Sequence, residues 1–108
     1  MEIKNVFFEL TEETVNGVPK KEDLVGFEMS NGDIWDPISK VKVFGKEDIK
    51  EVTMHSPRGS EEGYIVTVVD VITTDQKKHP MATVPSELLL EFAKTNKVAQ
   101  ALVRDLGL

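Results

Sequence analysis

The chain has 108 residues, of which 30% are charged and 40% hydrophobic, with no cysteine and a formal net charge of −6 at pH 7. This length suits one domain, and the apolar content is higher than that of disordered chains. The lack of cysteine excludes disulfide scaffolds, thiol nucleophiles and thiolate metal sites. A sequence pI near 4.9 argues against a general binder of the phosphate backbone of nucleic acids.

The first ten residues carry several charges and lack the apolar segment of about 7–15 residues that a secretory signal requires. No stretch reaches the roughly 18 consecutive apolar residues of a membrane-spanning helix. We therefore expect a cytoplasmic protein, or one in the host cytoplasm if the protein is viral.

The first half of the chain has the pattern of short strands separated by turns. Apolar and polar residues alternate over 2–10 and 23–29, and again around 41–43 and 52–54, which is typical of strands. The side chains expected to share a face within each strand are Val6, Phe8 and Leu10, then Val25, Phe27 and Met29, then Val41 and Val43, and finally Val52 and Met54. The predicted turns are Asn16-Gly17 (a tight primed turn), Asn31-Gly32 and Ser56-Pro57-Arg58-Gly59.

The second half combines a buried strand with helical spacing. Residues 64–73 are apolar on both faces, which predicts a strand covered on both sides, and a polar loop follows at 75–78. Apolar residues from Leu88 to Leu106 recur at steps of three and four, which predicts a C-terminal helix. Thr83 or Ser86 is expected to cap the start of this helix, with Pro85 in its first turn. Asn96 either bends the helix or caps a second short helix over 97–106.

Together these elements predict an α+β fold: an antiparallel sheet or small curled barrel of about five to six strands, followed by the C-terminal helix. We expect a single domain, 1–108, that is β-rich over 1–84 and helical over 85–108. One internal similarity accompanies this pattern, since Lys21–Met29 aligns without gaps onto Lys46–Met54 with four identical residues. Nine residues are too few to establish a duplication, and we expect both segments to lead into hairpins.

The negative charge is concentrated in the first third of the chain. Residues 1–36 hold nine acidic side chains and three lysines, whereas residues 37–108 hold ten acidic and ten basic ones. This asymmetry predicts an acidic surface that docks onto a basic protein partner, although solubility is the simpler explanation. The candidate binding residues are Glu12, Glu13, Glu22 and Asp23, with the aromatic residues Trp35 and Tyr64 as candidate anchors.

Two alternatives concern the anchors and the partner. Trp35 packs its hairpin against the core if it is not an exposed anchor. A homodimer through the C-terminal helix is possible if the outer side of that helix carries Leu88 or Val98.

Catalytic signals are weak. His55, His79 and Asp70 supply a base and an orienting carboxylate, and Ser56 or Ser60 a nucleophile, but almost any chain of this length offers such a set. We therefore predict a non-catalytic protein-interaction module, such as an adaptor, an inhibitor or a viral accessory protein. A small enzyme or ligand-binding domain that uses His55, His79 and Asp70 is the alternative.

No cofactor or metal is predicted. The acidic pairs lack the spacing of a calcium loop, and Asp75 with His79 supplies only two metal ligands. Nucleic-acid binding is disfavoured, since the basic stretch over 40–58 has a local excess of only +2. Its cations are Lys40, Lys42, Lys46, Lys50 and Arg58, and its acidic residues are Glu47, Asp48 and Glu51.

Overall fold

A computed structural model describes residues 2–59 and 65–108. Within these residues the chain forms seven strands, three α-helices and two short 3₁₀ turns. The strands are β1 (Ile3–Glu9), β2 (Leu24–Met29), β3 (Ile34–Asp36), β4 (Val41–Phe44), β5 (Ile49–Gly59), β6 (Ile65–Thr73) and β7 (Lys78–Pro85). The helices are α1 (Glu12–Asn16), α2 (Ser86–Ala93) and α3 (Lys97–Leu106), and the 3₁₀ turns are Lys21–Asp23 and Lys46–Asp48.

All seven strands belong to one antiparallel sheet in the order β4-β3-β2-β1-β7-β6-β5. The predicted α+β class is confirmed, but the sheet has more strands than expected because 78–85 form β7 rather than a turn and a helix start. The start of β7 lacks the pattern of a strand in the sequence, because it consists of Lys78, His79 and Pro80. The four residues that follow, 81–84, are buried because β7 lies between β1 and β6.

The sheet has an apolar cluster on each face. The cluster under the helices contains Val6, Phe8, Phe27, Val66, Ala82, Val84, Leu89, Leu102 and Leu106. The cluster on the opposite face contains Phe7, Ile34, Val69, Val71 and Met81. Burial of each of the larger of these side chains stabilises the fold by about 1.5–3 kcal/mol. Phe44 of β4 and Ile49 of β5 both pack on the second cluster, so the sheet is curled enough for its two outer strands to reach the same core.

The faces of β2 differ from the prediction. Val25 packs against the second cluster, whereas Phe27 and Met29 pack against the first. The cause is an irregularity in the β1–β2 register: Phe7 pairs with Gly26 and the next residue pairs with Leu24, which skips Val25. Such a bulge shifts every following side chain to the other face.

The outer strands expose several of their apolar residues. Val41 and Val43 of β4 and Val52 and Met54 of β5 are all exposed, and so is Leu10, which lies beyond the end of β1. Alternation in the sequence distinguishes the two faces of a strand without showing which of them is covered. No further strand covers β4 or β5 within the described residues.

Two of the three predicted turns are wrong. Asn16-Gly17 ends helix α1, and Gly17 has φ −127°, which any residue can adopt. The segment 56–59 continues β5, where Pro57 is tolerated because β5 is an outer strand with an irregular register at this point. The Asn31-Gly32 turn is confirmed: Gly32 has φ +95°, and its N–H donates to the Met29 carbonyl at 3.0 Å.

The helical region is divided at Asn96, which confirms the interpretation that Asn96 caps a second short helix rather than bending a single one. The Asn96 Oδ1 accepts hydrogen bonds from the N–H groups of Val98 and Ala99, both at 3.0 Å, and so caps α3. The predicted caps of α2 are wrong. Thr83 donates to the Val6 carbonyl and Ser86 to the Ile3 carbonyl, so both hydroxyls hold β1 instead.

The two similar segments have the same local structure. Lys21–Asp23 and Lys46–Asp48 are both 3₁₀ turns, and each leads directly into a strand, β2 or β5. Each of these strands is followed by an antiparallel partner, β3 or β6, so the expectation that both segments lead into hairpins is confirmed.

Candidate partner-binding surface

Helix α1 carries the first acidic pair, and two threonines hold it in place. The Thr11 Oγ1 accepts from the Thr14 N–H at 3.1 Å, while the Thr14 Oγ1 accepts from the Thr11 N–H at 2.8 Å. This reciprocal pair is a capping box. Thr14 is fully buried, and its hydroxyl also lies 2.8 Å from the Glu9 carbonyl. The start of α1 is therefore fixed, and it leaves Glu12 and Glu13 exposed.

Lys20 connects the two acidic pairs. Its Nζ lies 3.4 Å from the Glu13 Oε1, and its backbone N–H donates to the Asp23 Oδ2 at 3.1 Å. The structure therefore brings the predicted acidic residues of α1 and of the 3₁₀ turn to the same lysine. Glu22 is exposed beside Asp23, which is half-buried.

A groove lies between this acidic region and α3. It has a volume of about 180 Å³ and is lined by Pro19, Lys20, Lys21, Glu22, Val98, Ala101, Leu102 and Asp105. We call it the α3 groove. Its walls combine apolar groups with charged ones, and Val98 is 60% exposed, an unusual degree for a valine on an amphipathic helix. The sequence offered no signal for this groove, because its two sides are about 80 residues apart in the chain.

The two candidate aromatic anchors do not join this region. Trp35 is half-buried in β3, where it pairs with Phe27 on one side and Lys42 on the other. It is not part of the α3 groove, and it is not among the residues that pack against either apolar cluster. Tyr64 lies outside the described residues.

His55 and Asp70 form a close pair across the β5–β6 hairpin. The His55 Nε2 lies 2.8 Å from the Asp70 Oδ2, and the side chains are 50% and 15% exposed. In the register, Thr53 and Met54 face Asp70 and Val69, and two residues, 55 and 56, then lie opposite one residue of β6. Thr53 pairs with Asp70, and His55 lies two residues further along the same face of β5, so the His55 ring is a diagonal neighbour of Asp70.

His79 lies on the other face of the sheet. It pairs with Val71, which belongs to the cluster opposite the helices, whereas Asp70 is the next residue along β6 and so points to the helix-covered face. The structure therefore joins His55 to Asp70 but does not bring His79 to them.

His79 lies at a separate cleft. Its ring centroid is 5.2 Å from that of Phe44, and its Nε2 is 3.4 Å from the Thr73 Oγ1. The Thr73 hydroxyl donates to Asp75 and is the main cause of the lowered pKa of that carboxyl. The cleft has a volume of about 420 Å³ and is lined by Phe44, Asp48, Thr73, Thr74, Asp75, Lys77 and His79. The structure thus places Asp75 and His79, which the sequence pairs as two potential ligands, at the same cleft; the contributions of Phe44 and Asp48 had no signal in the sequence.

No protein-family model, curated protein or solved structure matches the chain. Across residues 2–59 and 65–108, no helix is both long and apolar enough to cross a membrane. In the same residues, no group of three or more potential ligands among His, Cys, Asp and Glu is placed to hold a metal ion.

Proposed function

We propose that this chain is a non-catalytic protein-interaction module that binds a basic segment of a partner protein at the α3 groove. The observation that supports this proposal is the position of the groove. It joins the acidic N-terminal region and the C-terminal helix, the two surfaces that the sequence nominates separately. A binding site built from both needs only one partner segment to engage them.

The groove indicates what such a segment contains. An apolar side chain of the partner contacts Val98 and Ala101, and flanking Lys or Arg side chains approach Glu13 and Glu22. A stable interface usually buries about 800 Å² on each partner, which is more than a groove of this size supplies. The exposed carboxylates therefore contribute mainly to the rate of association, and we expect binding to weaken as the salt concentration rises.

The test is affinity capture from the native cell, followed by mass identification of the captured proteins. One variant carries Glu12→Lys, Glu13→Lys and Glu22→Lys, which reverse three exposed acidic side chains, two on α1 and one, Glu22, in the wall of the groove. The matched control carries Glu47→Lys, Glu87→Lys and Glu91→Lys, which change the net charge equally at exposed positions elsewhere. Thermal unfolding confirms that both variants fold.

Loss of a partner from the first variant alone supports the proposal. Capture that is unchanged in the first variant refutes an acidic binding surface. Loss in both variants shows that net charge rather than this surface governs binding, and this result also contradicts the proposal. The further substitution Val98→Glu separates the groove from the acidic residues, since it changes an exposed apolar side chain within α3.

A small enzyme or ligand-binding domain remains the second candidate, and the 2.8 Å contact between His55 and Asp70 favours it. A partly buried carboxylate that orients an exposed imidazole is a common arrangement for a general base. Because His55 and His79 lie on opposite faces, His55→Ala and His79→Ala are tested separately as well as together. Unchanged biological activity of the double variant would exclude this candidate.

A second copy of the chain is also a possible partner for the C-terminal helices. The outer side of this region carries both Leu88 and Val98, which is the condition that the sequence sets for a helix-mediated homodimer. The substitution Val98→Glu tests this contact too, because it places a charge in any such interface.

A further inference from the structure

The two outer strands of the sheet differ in how well they are protected against pairing with another strand. Natural outer strands are commonly short, or carry lysine, proline or a bulge that blocks an incoming strand. Strand β4 is short, and Lys40 and Lys42 lie at its start and within it. Strand β5 has eleven residues, and its protection lies only at its ends: Lys50 before the central part, and the bulge followed by Pro57 after it. The segment 51–55 has neither lysine nor proline, and we call it the β5 edge.

The β5 edge exposes apolar side chains on one face and polar ones on the other. Val52 and Met54 pair with Val71 and Val69 of β6, which belong to the second cluster, opposite the helices. Their exposed fractions are 37% and 69%. Glu51, Thr53 and His55 lie on the other face, and all three are exposed. An incoming strand at the β5 edge would therefore meet an apolar face on one side of the sheet and a polar face on the other.

We propose that the β5 edges of two copies of this chain pair antiparallel about Thr53. Opposite residues of an antiparallel pair lie on the same face, and a two-fold axis at Thr53 places each Val52 against a Met54. The same axis places each Glu51 against a His55 on the other face, where the His55 Nε2 already contacts Asp70 of its own chain and leaves Nδ1 for the partner's carboxylate. Apolar side chains therefore meet apolar ones twice, and a carboxylate meets an imidazole twice.

Neighbouring registers lack this complementarity. A shift of one residue places Val52 against Thr53 and Glu51 against Met54, so that apolar side chains oppose polar ones. A shift of two residues towards the start of β5 keeps one apolar pair, Val52 against Val52, but places Lys50 against Met54; the opposite shift keeps Met54 against Met54 but extends into the bulge. The register about Thr53 is therefore the one that the side chains select.

The dimer is closed and weak. Each copy uses its β5 edge once, and the strand pairing ends at the bulge, so the contact joins two copies without continuing into a filament. Five paired residues form a small interface. We therefore expect association at high protein concentration rather than a permanent dimer.

The absence of native cysteine makes the pairing directly testable. The substitution Thr53→Cys places two thiols across the two-fold axis, and mild oxidation should link them into a covalent dimer. The matched control, Val41→Cys, places one thiol on the exposed outer strand β4 and should remain mostly monomeric at the same concentration. Circular dichroism checks that both variants retain the native fold.

Light scattering or sedimentation across a concentration series then measures the reversible dimer of the native sequence. Met54→Lys should raise its dissociation constant about tenfold or more, since it removes both Val52–Met54 contacts. Val41→Lys should leave it unchanged, because Val41 is exposed on the other outer strand, β4. A chain that stays monomeric at millimolar concentration overturns the proposal. So does a dimer that Met54→Lys does not weaken, or equal oxidation yields from the two cysteine variants.

Discussion

The most informative single substitution is Thr14→Val, because it preserves the shape of a buried side chain and removes only its hydroxyl. Thr14 is 0% exposed, and its Oγ1 lies 2.8 Å from the Glu9 carbonyl and accepts from the Thr11 N–H at 2.8 Å. In the valine variant, that N–H and that carbonyl both lose a partner, and both of the lost bonds are partly buried. One net hydrogen bond contributes about 0.5–1.5 kcal/mol, and a buried group without a partner costs about 1–3 kcal/mol.

We therefore expect Thr14→Val to lower the free energy of unfolding by about 2 kcal/mol, partly offset by the gain of a buried methyl group. For a domain near this size, such a loss lowers the melting temperature by about 8 °C or more. Urea denaturation, followed by tryptophan fluorescence, should show a lower midpoint with an unchanged slope, because the surface exposed on unfolding is the same.

The control is Thr95→Val, which makes the same chemical change at an exposed threonine between α2 and α3. It should change the free energy of unfolding by less than about 0.5 kcal/mol. A similarly small effect of Thr14→Val would refute the reasoning, since it would mean that the Thr14 hydroxyl contributes nothing to the position of α1.

Three other predictions concern the sheet, a helix cap and acid stability. Gly26→Ala should lower the free energy of unfolding by about 1–3 kcal/mol, because an added Cβ would lie 2.9 Å from the Trp35 carbonyl oxygen of the paired strand. Asn96→Ala should lower it by about 1 kcal/mol through loss of the α3 cap, as urea denaturation would measure. Asp33→Asn should flatten the fall of melting temperature below about pH 4. Hydrogen bonding from the Lys46 N–H chiefly lowers the Asp33 pKa, so its ionised form stabilises the fold above the ordinary aspartate pKa, and that contribution is lost as pH falls.

Each of these three has a matched comparison. Gly17→Ala should lower the free energy of unfolding less than Gly26→Ala, because its added Cβ would lie 3.3 Å from the nearest atom, the Glu13 carbonyl oxygen. Equal losses of stability in the two variants would contradict the close approach of β2 and β3. Asn96→Asp should retain the cap that Asn96→Ala removes, and equal losses would show that the cap does not matter. An acid profile of Asp33→Asn that matches the native one would show that this carboxylate is not linked to folding.

The fold class was accessible from the sequence because alternation and helical spacing reflect the faces that a chain must bury. Helix α1 was not, since its five residues depend on the reciprocal bonds of Thr11 and Thr14 rather than on any apolar pattern. Strand β7 was missed for a similar reason: it is buried because it lies between β6 and β1, and β1 is distant in sequence. The exposure of Val41 and Met54 depends on which strands end the sheet, and composition does not encode that order.

The candidate site shows the same limit at the level of side chains. Glu13 and Lys20 meet because α1 reverses the chain, and His55 meets Asp70 because the β5–β6 register pairs Asp70 with Thr53, two residues from His55 on the same face. The sequence identified Glu13, His55 and Asp70 as candidates from their residue types alone. Only the register showed that His79 is separated from the other two by the thickness of the sheet.

The fold also changes what the N-terminal charge excess means. Three of the nine acidic residues in 1–36 hold turns: Asp23 accepts from the Lys20 N–H, Asp33 from the Lys46 N–H at 2.8 Å, and Asp36 from the Ile38 N–H at 2.8 Å. Local bonding of this kind is a frequent role for aspartate and needs no partner. The glutamates are therefore the more specific evidence for a binding surface. Those of α1 and the following 3₁₀ turn are Glu12, Glu13 and Glu22; all three are exposed, and Glu22 lines the α3 groove. If the charge served solubility alone, reversing these three would matter no more than reversing any three exposed glutamates, and the paired capture variants measure that difference.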